Sequence, residues 1–264
     1  MSKSLGLALG SGGSRGIAHI GVLVALEEAG IKPDYISGCS MGAVVGSCYA
    51  AGMSAHEIKD IALKLKSKDI IDFSPALRTR MSLLRSKKVE ELLLHYLGNV
   101  KIEDMPIGFG CVATDLYSGK LHIFDKGSTA LAVQASSAIP GVFRPVAFED
   151  KLLVDGGCLC RVPVKLVKDM GADVVVAVDV LSNVSDPVDD ISNILNLMLR
   201  VFDLMDAQQT EMRARIEGDV ADMVLKPVIT NVSQYVVKEL ERVYEIGYEL
   251  GKKHVDEIKA LLNN

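Results

Sequence analysis

One pentapeptide of this sequence has the form Gly-x-Ser-x-Gly and reads Gly38-Cys39-Ser40-Met41-Gly42. A short apolar run precedes it and a stretch of small residues follows it, which predicts a sharp turn between a strand and a helix. Such a turn presents its central serine at the apex, and the flanking glycines let the strand and the helix approach closely. Ser40 is therefore a predicted nucleophile. We expect the Cys39 side chain to point away from the apex and to pack as a small buried thiol.

The second candidate for chemistry is a glycine-rich loop, Gly10-Ser11-Gly12-Gly13-Ser14-Arg15-Gly16, between a predicted strand and a predicted helix. Consecutive glycines expose backbone N–H groups, and the N-terminus of the following helix adds partial positive charge. The loop is therefore predicted to hold an anion, either a phosphate or an oxyanion formed during a reaction. It misses the dinucleotide fingerprint by one position and lacks the Gly-Lys-Ser/Thr ending of a nucleotide P-loop. A tight structural turn without a ligand is the alternative.

A serine nucleophile needs a base, and none of the five histidines is well placed to act as one. His254 lies on the apolar face of the predicted terminal helix, and His19 lies on the buried side of the helix after the glycine-rich loop. Asp155 is better presented, because the apolar run Leu152-Leu153-Val154 leads directly into it and Gly156-Gly157 follows. Asp155 is therefore the predicted base, with a structural Asx turn as the alternative.

Two other aspartates compete with Asp155 for this role. Asp115 is better explained as the start of a hairpin turn at Ser118-Gly119, and Asp179 ends a later apolar strand without glycine support. Cys158-x-Cys160 lacks the spacing and the partners of a metal site. The sequence therefore predicts neither a metal nor a cofactor.

Composition and charge limit the class of protein. The 264 residues are 49% hydrophobic and 24% charged, with a net charge of −5, which is typical of a globular protein with a substantial core. The net negative charge and the lack of zinc-finger or RNP patterns argue against nucleic-acid binding. Apolar runs are too short for a membrane-spanning helix, and neither a signal peptide nor a disulfide framework is recognisable. We therefore expect a cytoplasmic protein, with no prediction of its oligomeric state.

Apolar periodicity predicts the elements that position these residues. Strands over Leu5–Leu9 and Tyr35–Gly38 alternate with helices over Gly16–Ala29 and Ala43–Ala51, which favours a parallel sheet with right-handed crossovers. Residues 54–105 are predicted to form a helical insertion between strands. Further predicted elements are strands over Ile107–Thr114, Lys120–Asp125, 152–154, 173–179 and Met223–Leu225, and helices over Thr129–Ser137 and Val164–Met170.

The last 80 residues are predicted to be mainly helical. A Met- and Leu-rich helix over Ile191–Met205 is expected to pack in the core, with an acyl-site cover or a dimer contact as alternatives. A long terminal helix has an apolar seam that begins at Val236 and ends at Leu261. We expect one domain over residues 1–264, with a motif-bearing core at about 5–180 and a helical C-terminal part at about 181–264.

At these motifs the sequence resembles the patatin-like phospholipase family, in its bacterial form. The glycine-rich loop at 10–16, the Gly-x-Ser-x-Gly at 38–42 and the Asp-Gly-Gly at 155–157 stand in the family's order. Two weaker stretches, 113–116 and 135–143, also look like the family. The resemblance covers about residues 5–180. It implies an α/β fold, a three-layer sandwich with a central, mostly parallel sheet flanked by helices.

The resemblance also implies a Ser-Asp dyad, with Ser40 as nucleophile and Asp155 as general base. Backbone N–H groups of Gly12, Gly13 and Ser14 would form the oxyanion hole. The remaining motif residues would support this geometry: Gly10, Arg15, Gly16, Gly38, Gly42, Gly156 and Gly157. One departure from the family pattern is Cys160, which stands where many members have asparagine, so the surroundings of Asp155 are expected to differ.

The implied reaction is hydrolysis of a lipid or other acyl ester, of the phospholipase or lysophospholipase type and without a cofactor. Two alternatives stay open: a serine acyltransferase that passes the acyl group to a non-water acceptor, and a non-catalytic module whose loop binds phosphate. The segment Lys59–Lys88 has nine basic and three acidic residues. Its net charge of +6 predicts peripheral contact with anionic membranes. A solvated helical face is the alternative for this segment.

Overall fold

An eight-stranded mixed β-sheet forms the centre of the structure, with helices packed on both faces. The computed structural model describes residues 3–65, 87–181, 191, 193–216 and 221–263. The strands are β1 (Leu5–Leu9), β2 (Tyr35–Gly38), β3 (Gly108–Asp115), β4 (Lys120–Phe124), β5 (Val146–Phe148), β6 (Lys151–Asp155), β7 (Val174–Val178) and β8 (Met223–Leu225). The helices are α1 (Ile17–Glu28), α2 (Met41–Ala50), α3 (Ala55–Ala62), α4 (Lys87–Leu97), α5 (Thr129–Ser136), α6 (Val164–Asp169), α7 (Ile194–Ile216) and α8 (Leu240–Asn263).

The strand order is β5-β6-β3-β2-β1-β7-β8, and β4 pairs with β3 outside this path. Five strands, from β3 through β2, β1 and β7 to β8, run parallel, whereas β4, β5 and β6 pair in antiparallel fashion. Strand β1 lies in the middle and is buried on both faces, as expected for a nearly continuous apolar strand in a parallel sheet. The predicted α/β class, with a mostly parallel central sheet between helical layers, is confirmed.

Alternating side chains of the central strands pack against different helical layers. Leu7 and Leu9 of β1 belong to the large core beneath α1 and α2, whereas Ala8 packs with Val164 and Val167 of α6 on the opposite face. This alternation follows from the two-residue period of a strand. It explains why the β-α-β-α pattern of the first third was sufficient to predict the layers.

Strand β3 brings two strand ends together. Strand β4 pairs with Cys111–Asp115 along one edge of β3, so β2 and β6 must both pair along the other edge. The last residue of β2, Gly38, is opposite Cys111, and the last residue of β6, Asp155, is opposite Ala113. Because a strand rises about 3.3 Å per residue, the ends of β2 and β6 meet head to head about 7 Å apart.

Helix α8 packs closely along α1. A Cβ on Gly247 would lie 2.1 Å from the carbonyl oxygen of Ala18, and one on Gly21 would lie 2.3 Å from that of Tyr244. The two backbones therefore touch at these glycines. This contact and the pairing of β7 with β8 join the C-terminal part of the chain to the motif-bearing core.

Two expectations for the C-terminal part were wrong. Helix α7 begins later and extends further than predicted, and most of its apolar residues do not pack in the core: Leu199 is buried, but Ile194, Met198 and Met205 are 80%, 61% and 58% exposed. The reason is that the opposite face of α7 is anchored by polar side chains, Asp203 and Asp206. The terminal helix α8 begins at Leu240, so Val236 lies outside it.

The predicted helical insertion is described only in part. Helices α3 and α4 fall within residues 54–105, but residues 66–86, which include most of the basic segment Lys59–Lys88, lie outside the described residues. Strand β5 was not predicted. Within the described ranges, no helix has the length and apolar character that a membrane crossing requires.

Candidate active site

Ser40 occupies the turn between β2 and α2, as the pentapeptide predicts. Its backbone angles, φ 52° and ψ −120°, lie in a region that residues with a side chain rarely adopt. Its N–H donates to the hydroxyl oxygen of Ser136 at 3.0 Å, and its carbonyl accepts the N–H groups of Ala43 and Val44 in the first turn of α2. Neighbouring structure thus holds a conformation that costs about 1–3 kcal/mol.

The glycines around Ser40 permit a very close approach of neighbouring backbone. A Cβ on Gly42 would lie 2.1 Å from the carbonyl oxygen of Leu9, and one on Gly38 would lie 2.5 Å from the Cα of Ala43. Strand β1 therefore runs directly beneath the start of α2. As a consequence, the loop that follows β1 begins beside the serine.

Asp155 ends β6 and faces the serine turn. Its Oδ1 accepts the N–H of Gly157 at 2.8 Å, and the Ser40 side chain is near enough to this carboxyl to lower its pKa. The bond from Gly157 fits the interpretation as an Asx turn, and the same residue also lies beside Ser40. Gly156 is required beside it, because a Cβ there would lie 2.4 Å from the carbonyl oxygen of Val112.

Burial raises the pKa of the Asp155 carboxyl to about 6, although hydrogen bonds from Gly157, Ser40 and Cys39 oppose the shift. A carboxylate with this pKa is ionised at neutral pH and is a stronger base than an exposed aspartate, whose pKa is near 3.9. The site thus pairs a hydroxyl with a base of suitable strength.

Cys39 packs as predicted but has a second contact that the sequence did not suggest. It is fully buried with Val112, Cys160 and Leu166, and its Sγ lies 3.8 Å from Oδ1 of Asp155. Burial, followed by the nearby Asp155 charge, raises the pKa of the Cys39 thiol well above its usual value. Cys39 therefore stays a thiol that donates weakly to the carboxylate. Cys160 lies in the same buried cluster as Cys39, which in turn contacts Asp155.

The glycine-rich loop lies beside the serine turn. A Cβ on Gly16 would lie 2.4 Å from Cγ of Met41, the residue after Ser40. On the other side, the N–H of Gly10 donates to the Val178 carbonyl at 3.0 Å. The loop thus spans from the end of β7 to the nucleophile.

Two backbone donors of the loop are free within the described part of the chain. The N–H groups of Gly12 and Gly13 have no acceptor among the described residues. Gly13 has φ 49°, and a Cβ there would lie 2.1 Å from the carbonyl oxygen of Gln234. The N–H of Ser14, by contrast, donates to that same carbonyl at 3.0 Å. Of the three predicted oxyanion donors, Ser14 is therefore the one whose N–H already has an acceptor in the structure.

The histidines have other roles in the structure. His19 is fully buried, its Nε2 is 2.7 Å from the Gly10 carbonyl oxygen, and burial lowers its pKa to about 4. His254 contacts the carbonyl oxygen of Leu250 through Nδ1. All five histidines lie in described ranges, and none hydrogen bonds to Ser40 or Asp155.

The competing aspartates are also occupied elsewhere. Asp115 accepts from the N–H and the hydroxyl of Ser118 and from the N–H of Tyr117, which is the hairpin role expected for it. Asp179 pairs with the guanidinium of Arg161 at 3.0 Å. Within the ranges that the structure describes, no cluster of His, Cys, Asp or Glu is arranged to hold a metal ion.

Three further residues support the site through contacts that the sequence did not predict. Ser136, within the family-like stretch 135–143, accepts the N–H of Ser40, and the carbonyls of Gln234 and Arg161 accept the N–H groups of Ser14 and Ser11, each at 3.0 Å. Each partner is distant in the chain from the motif it supports. A sequence pattern with local spacing has no means of connecting them.

Comparison with known proteins agrees with these motifs. The family model described as patatin-like phospholipase matches residues 7–168. An uncharacterized NTE family protein of Mycobacterium tuberculosis (strain H37Rv) is 40% identical over 189 residues, which cover 72% of this chain and 52% of the relative. Lysophospholipase NTE1 of Coccidioides immitis is 29% identical over 280 residues, which cover 97% of this chain and 18% of the relative. The chain thus spans about half the length of the first relative and less than a fifth of the second.

Solved structures share the fold at low sequence identity. VipD from Legionella pneumophila aligns with a TM-score of 0.61 and 16% identity, covering 97% of this chain and 67% of that chain. Human GIVD cytosolic phospholipase A2 aligns with a TM-score of 0.50 and 12% identity, covering 99% of this chain and 59% of that chain. The segment matched by the family model is more than half of the chain and contains the glycine-rich loop, the serine turn and Asp155. The chain therefore belongs to the patatin-like phospholipase family.

Proposed function

We propose that this protein hydrolyses acyl esters of lipids with a Ser40–Asp155 dyad. The observation that carries the proposal is the head-to-head meeting of the strand ends that carry Ser40 and Asp155, which sets the serine turn against a buried carboxyl with a raised pKa. Two loop N–H groups without an acceptor among the described residues lie beside this turn. A nucleophile, a base and oxyanion donors are the three parts that acyl transfer requires.

In the first half of the reaction, the Ser40 hydroxyl oxygen attacks the ester carbonyl carbon and Asp155 accepts the hydroxyl proton. The carbonyl oxygen becomes an oxyanion, to which the N–H groups of Gly12 and Gly13 donate. The C–O bond to the alcohol then breaks, and the alcohol leaves with the proton from Asp155. In the second half, Asp155 deprotonates a water that attacks the acyl-enzyme, which releases the carboxylic acid and regenerates Ser40.

The proposed substrate class is a phospholipid or lysophospholipid. The family description and the lysophospholipase name of the fungal relative support this class. The exposed apolar residues of α7 also support contact with a lipid aggregate rather than with a dissolved polar ester.

The dyad predicts that Ser40→Ala and Asp155→Asn each lower kcat/KM for a short-chain nitrophenyl ester by at least about 10³-fold. Ser47→Ala is the matched control and should retain activity, because this serine lies in the helix that follows Ser40 and bonds to the Val44 carbonyl. A fluorophosphonate probe should label Ser40 in the folded wild-type protein. Wild-type turnover in either dyad variant would refute the dyad, and absent labelling would favour the phosphate-binding module.

The products distinguish hydrolysis from acyl transfer. We expect free fatty acid as the main product from mixed phospholipids, lysophospholipids and triglycerides, even with an added alcohol or thiol acceptor. Acylated acceptor as the main product would indicate a transferase.

We also propose that the protein is cytoplasmic and contacts anionic membranes peripherally through Lys59–Lys88. Of the described residues in this segment, Lys59 is half-buried and places its Nζ 4.2 Å from the centroid of the Tyr244 ring. Co-sedimentation with anionic vesicles that weakens as salt is added is the expected result.

A further inference from the structure

Three consecutive backbone carbonyl groups of a segment distant in sequence accept hydrogen bonds from one side of the glycine-rich loop. Within residues 232–235, the carbonyl of Val232 accepts from Nε of Arg15 at 2.7 Å, and that of Ser233 accepts from the hydroxyl of Ser14 at 2.9 Å. The Gln234 carbonyl accepts the N–H of Ser14 at 3.0 Å. The 232–235 segment therefore fixes the loop immediately after Gly13.

Asp203 of α7 holds this segment in turn. Its Oδ1 accepts from Nε2 of Gln234 at 2.8 Å and from the hydroxyl of Tyr235 at 2.5 Å. These two hydrogen bonds to one carboxylate oxygen fix the 232–235 segment relative to Asp203, because charge-assisted hydrogen bonds are short and strong. The chain of contacts thus runs from α7 through Gln234 to the backbone of Ser14.

The other side of the glycine-rich loop is also connected to α7, through Arg161. The N–H of Ser11 donates to the carbonyl of Arg161 at 3.0 Å, and the buried guanidinium of Arg161 pairs with Asp206 at 3.1 Å and with Asp179 at 3.0 Å. Asp203 and Asp206 are three residues apart, so they lie on the same face of the helix. Gly12 and Gly13 lie between the two fixed positions, Ser11 and Ser14.

We propose that Asp203 and Asp206 are positioning residues for the oxyanion hole formed by Gly12 and Gly13. This inference rests on the proposed hydrolase function. Neither carboxylate takes part in the reaction in this proposal: each acts through a partner that fixes a loop backbone. A displacement of about 1 Å at reacting groups can cost about 100-fold in rate, so the accuracy of this support has catalytic consequences.

A structural role alone would give a different outcome, and the variants are chosen to separate the two. Breaking the buried Arg161 pair by changing Asp206 leaves an uncompensated charge and endangers folding. Asp203→Asn and Tyr235→Phe are milder, because both keep the shape of the side chain. Asp256→Asn, an exposed acid of α8, is the matched control.

The readout is the affinity for a trifluoromethyl ketone, which forms a hemiketal oxyanion with the active serine, compared with kinetics on a soluble nitrophenyl ester. We expect Asp203→Asn and Tyr235→Phe to lower kcat about 10- to 100-fold and KM to change less than about twofold. The ketone affinity should fall by the same factor as kcat/KM, with the melting temperature near that of Asp256→Asn.

Two results would overturn the inference. Unchanged kcat and unchanged ketone affinity in Asp203→Asn and Tyr235→Phe, with an active wild type, would reject the positioning role and leave the hydrolase proposal intact. Losses of activity that follow melting temperature, without a selective loss of ketone affinity, would also reject it. An inactive wild type whose Ser40 is not labelled by a fluorophosphonate would reject both proposals.

Discussion

Asp155 combines two properties that oppose each other in a folded protein. Burial raises its pKa to about 6, and the residue nevertheless has to carry a charge at neutral pH to accept a proton from Ser40. Keeping that charge buried costs folding free energy. The buried charge of Asp155, the proposed base, should therefore lower the free energy of unfolding of the protein.

Asp155→Asn should stabilise the protein by about 1–3 kcal/mol at pH 7.5 and by almost nothing near pH 4. Because the folded-state pKa lies above the unfolded value, the folded wild type binds more protons between about pH 4 and 6. Its stability relative to the variant therefore falls as the pH rises through that window. Urea unfolding of both proteins at the two pH values measures the effect, and a variant less stable than wild type at pH 7.5 would contradict the buried charge.

The same carboxyl determines the pH dependence of the proposed reaction. In wild type, kcat/KM for a soluble ester should rise about tenfold per pH unit below pH 6 and level off above it, because only the carboxylate accepts the serine proton. A pH–rate profile checks this, with Cys39→Ala as a second variant that removes the thiol contact. Activity that stays constant from pH 4.5 to 7 would exclude Asp155 as the base.

Local patterns were sufficient to select Ser40 and Asp155, which the structure brings together, and insufficient to show which loop N–H groups already have an acceptor. The elbow pentapeptide and the strand that ends at Asp155 are each contained in a few residues. The bond that occupies the Ser14 N–H comes from Gln234, 220 positions later. No local spacing encodes that contact, so the sequence could not show that the Ser14 N–H already has an acceptor.

At the scale of elements, β3 is the scaffold of the site. Its one edge receives β2 and β6 from opposite directions, which places the two strand ends that carry Ser40 and Asp155 against each other. The apolar runs predicted both strands. Their head-to-head arrangement depends on the antiparallel direction of β6, which apolar patterning does not specify.

The packing of α8 on α1 predicts a large effect of a small substitution. Gly247→Ala should lower the free energy of unfolding by about 1–3 kcal/mol, although alanine favours a helix by about 1 kcal/mol, because its Cβ would overlap the Ala18 carbonyl. Urea denaturation measures this. Glu257→Ala, exposed on the same helix, should stay within about 0.5 kcal/mol of wild type. Equal stability of the two variants would contradict the close helix contact.

Helix α7 shows why apolar content alone misplaced an element. Its Met and Leu residues suggested a core helix, but Asp203 and Asp206 take two of the inward positions beside Leu199, and most of its apolar side chains are exposed. Paired acids that hold a loop outweigh the preference of the apolar side chains for the interior. Apolar periodicity could not predict the hydrogen bonds of Asp203 and Asp206, because it considers only the hydrophobicity of each residue.

At the scale of the whole molecule, the outer face of α7 is mainly apolar over about its first four turns. The exposed side chains from Ile194 to Gln208 are uncharged, Arg200 is half-buried, and an exposed Glu211 follows further along the helix. The opposite face of the same helix supports the proposed oxyanion loop. We infer that a lipid aggregate contacts this face, close to the residues that would act on it.

Met198→Gln combined with Met205→Gln should lower co-sedimentation with uncharged phosphatidylcholine vesicles several-fold, because two exposed apolar side chains lose their contact with lipid. Hydrolysis of a soluble ester should stay within about twofold of wild type. Val228→Gln, which changes an exposed apolar residue after β8, is the control. Vesicle binding of the double variant equal to that of the control would rule out this face. High salt should weaken only the contribution of Lys59–Lys88.

The C-terminal contacts also bear on the extent of the domain. We infer that residues 1–264 form one domain, because β8 completes the sheet beside β7 and α8 packs on α1. The motifs lie within residues 10–157, and a boundary drawn from them alone would stop long before these elements.

The hydrogen bonds between residues 232–235 and the pair Ser14 and Arg15 limit how far this chain can be shortened. A fragment that ended near residue 181 would contain Ser40, Asp155 and every glycine of the loop, and would lack the carbonyls that accept from Ser14 and Arg15. The smallest piece that retains the bonded loop therefore extends at least to Tyr235. In this chain the residues that support the proposed site extend well beyond the stretch that contains the recognisable motifs. Residues 232–235, which bond to the glycine-rich loop, contain none of these motifs.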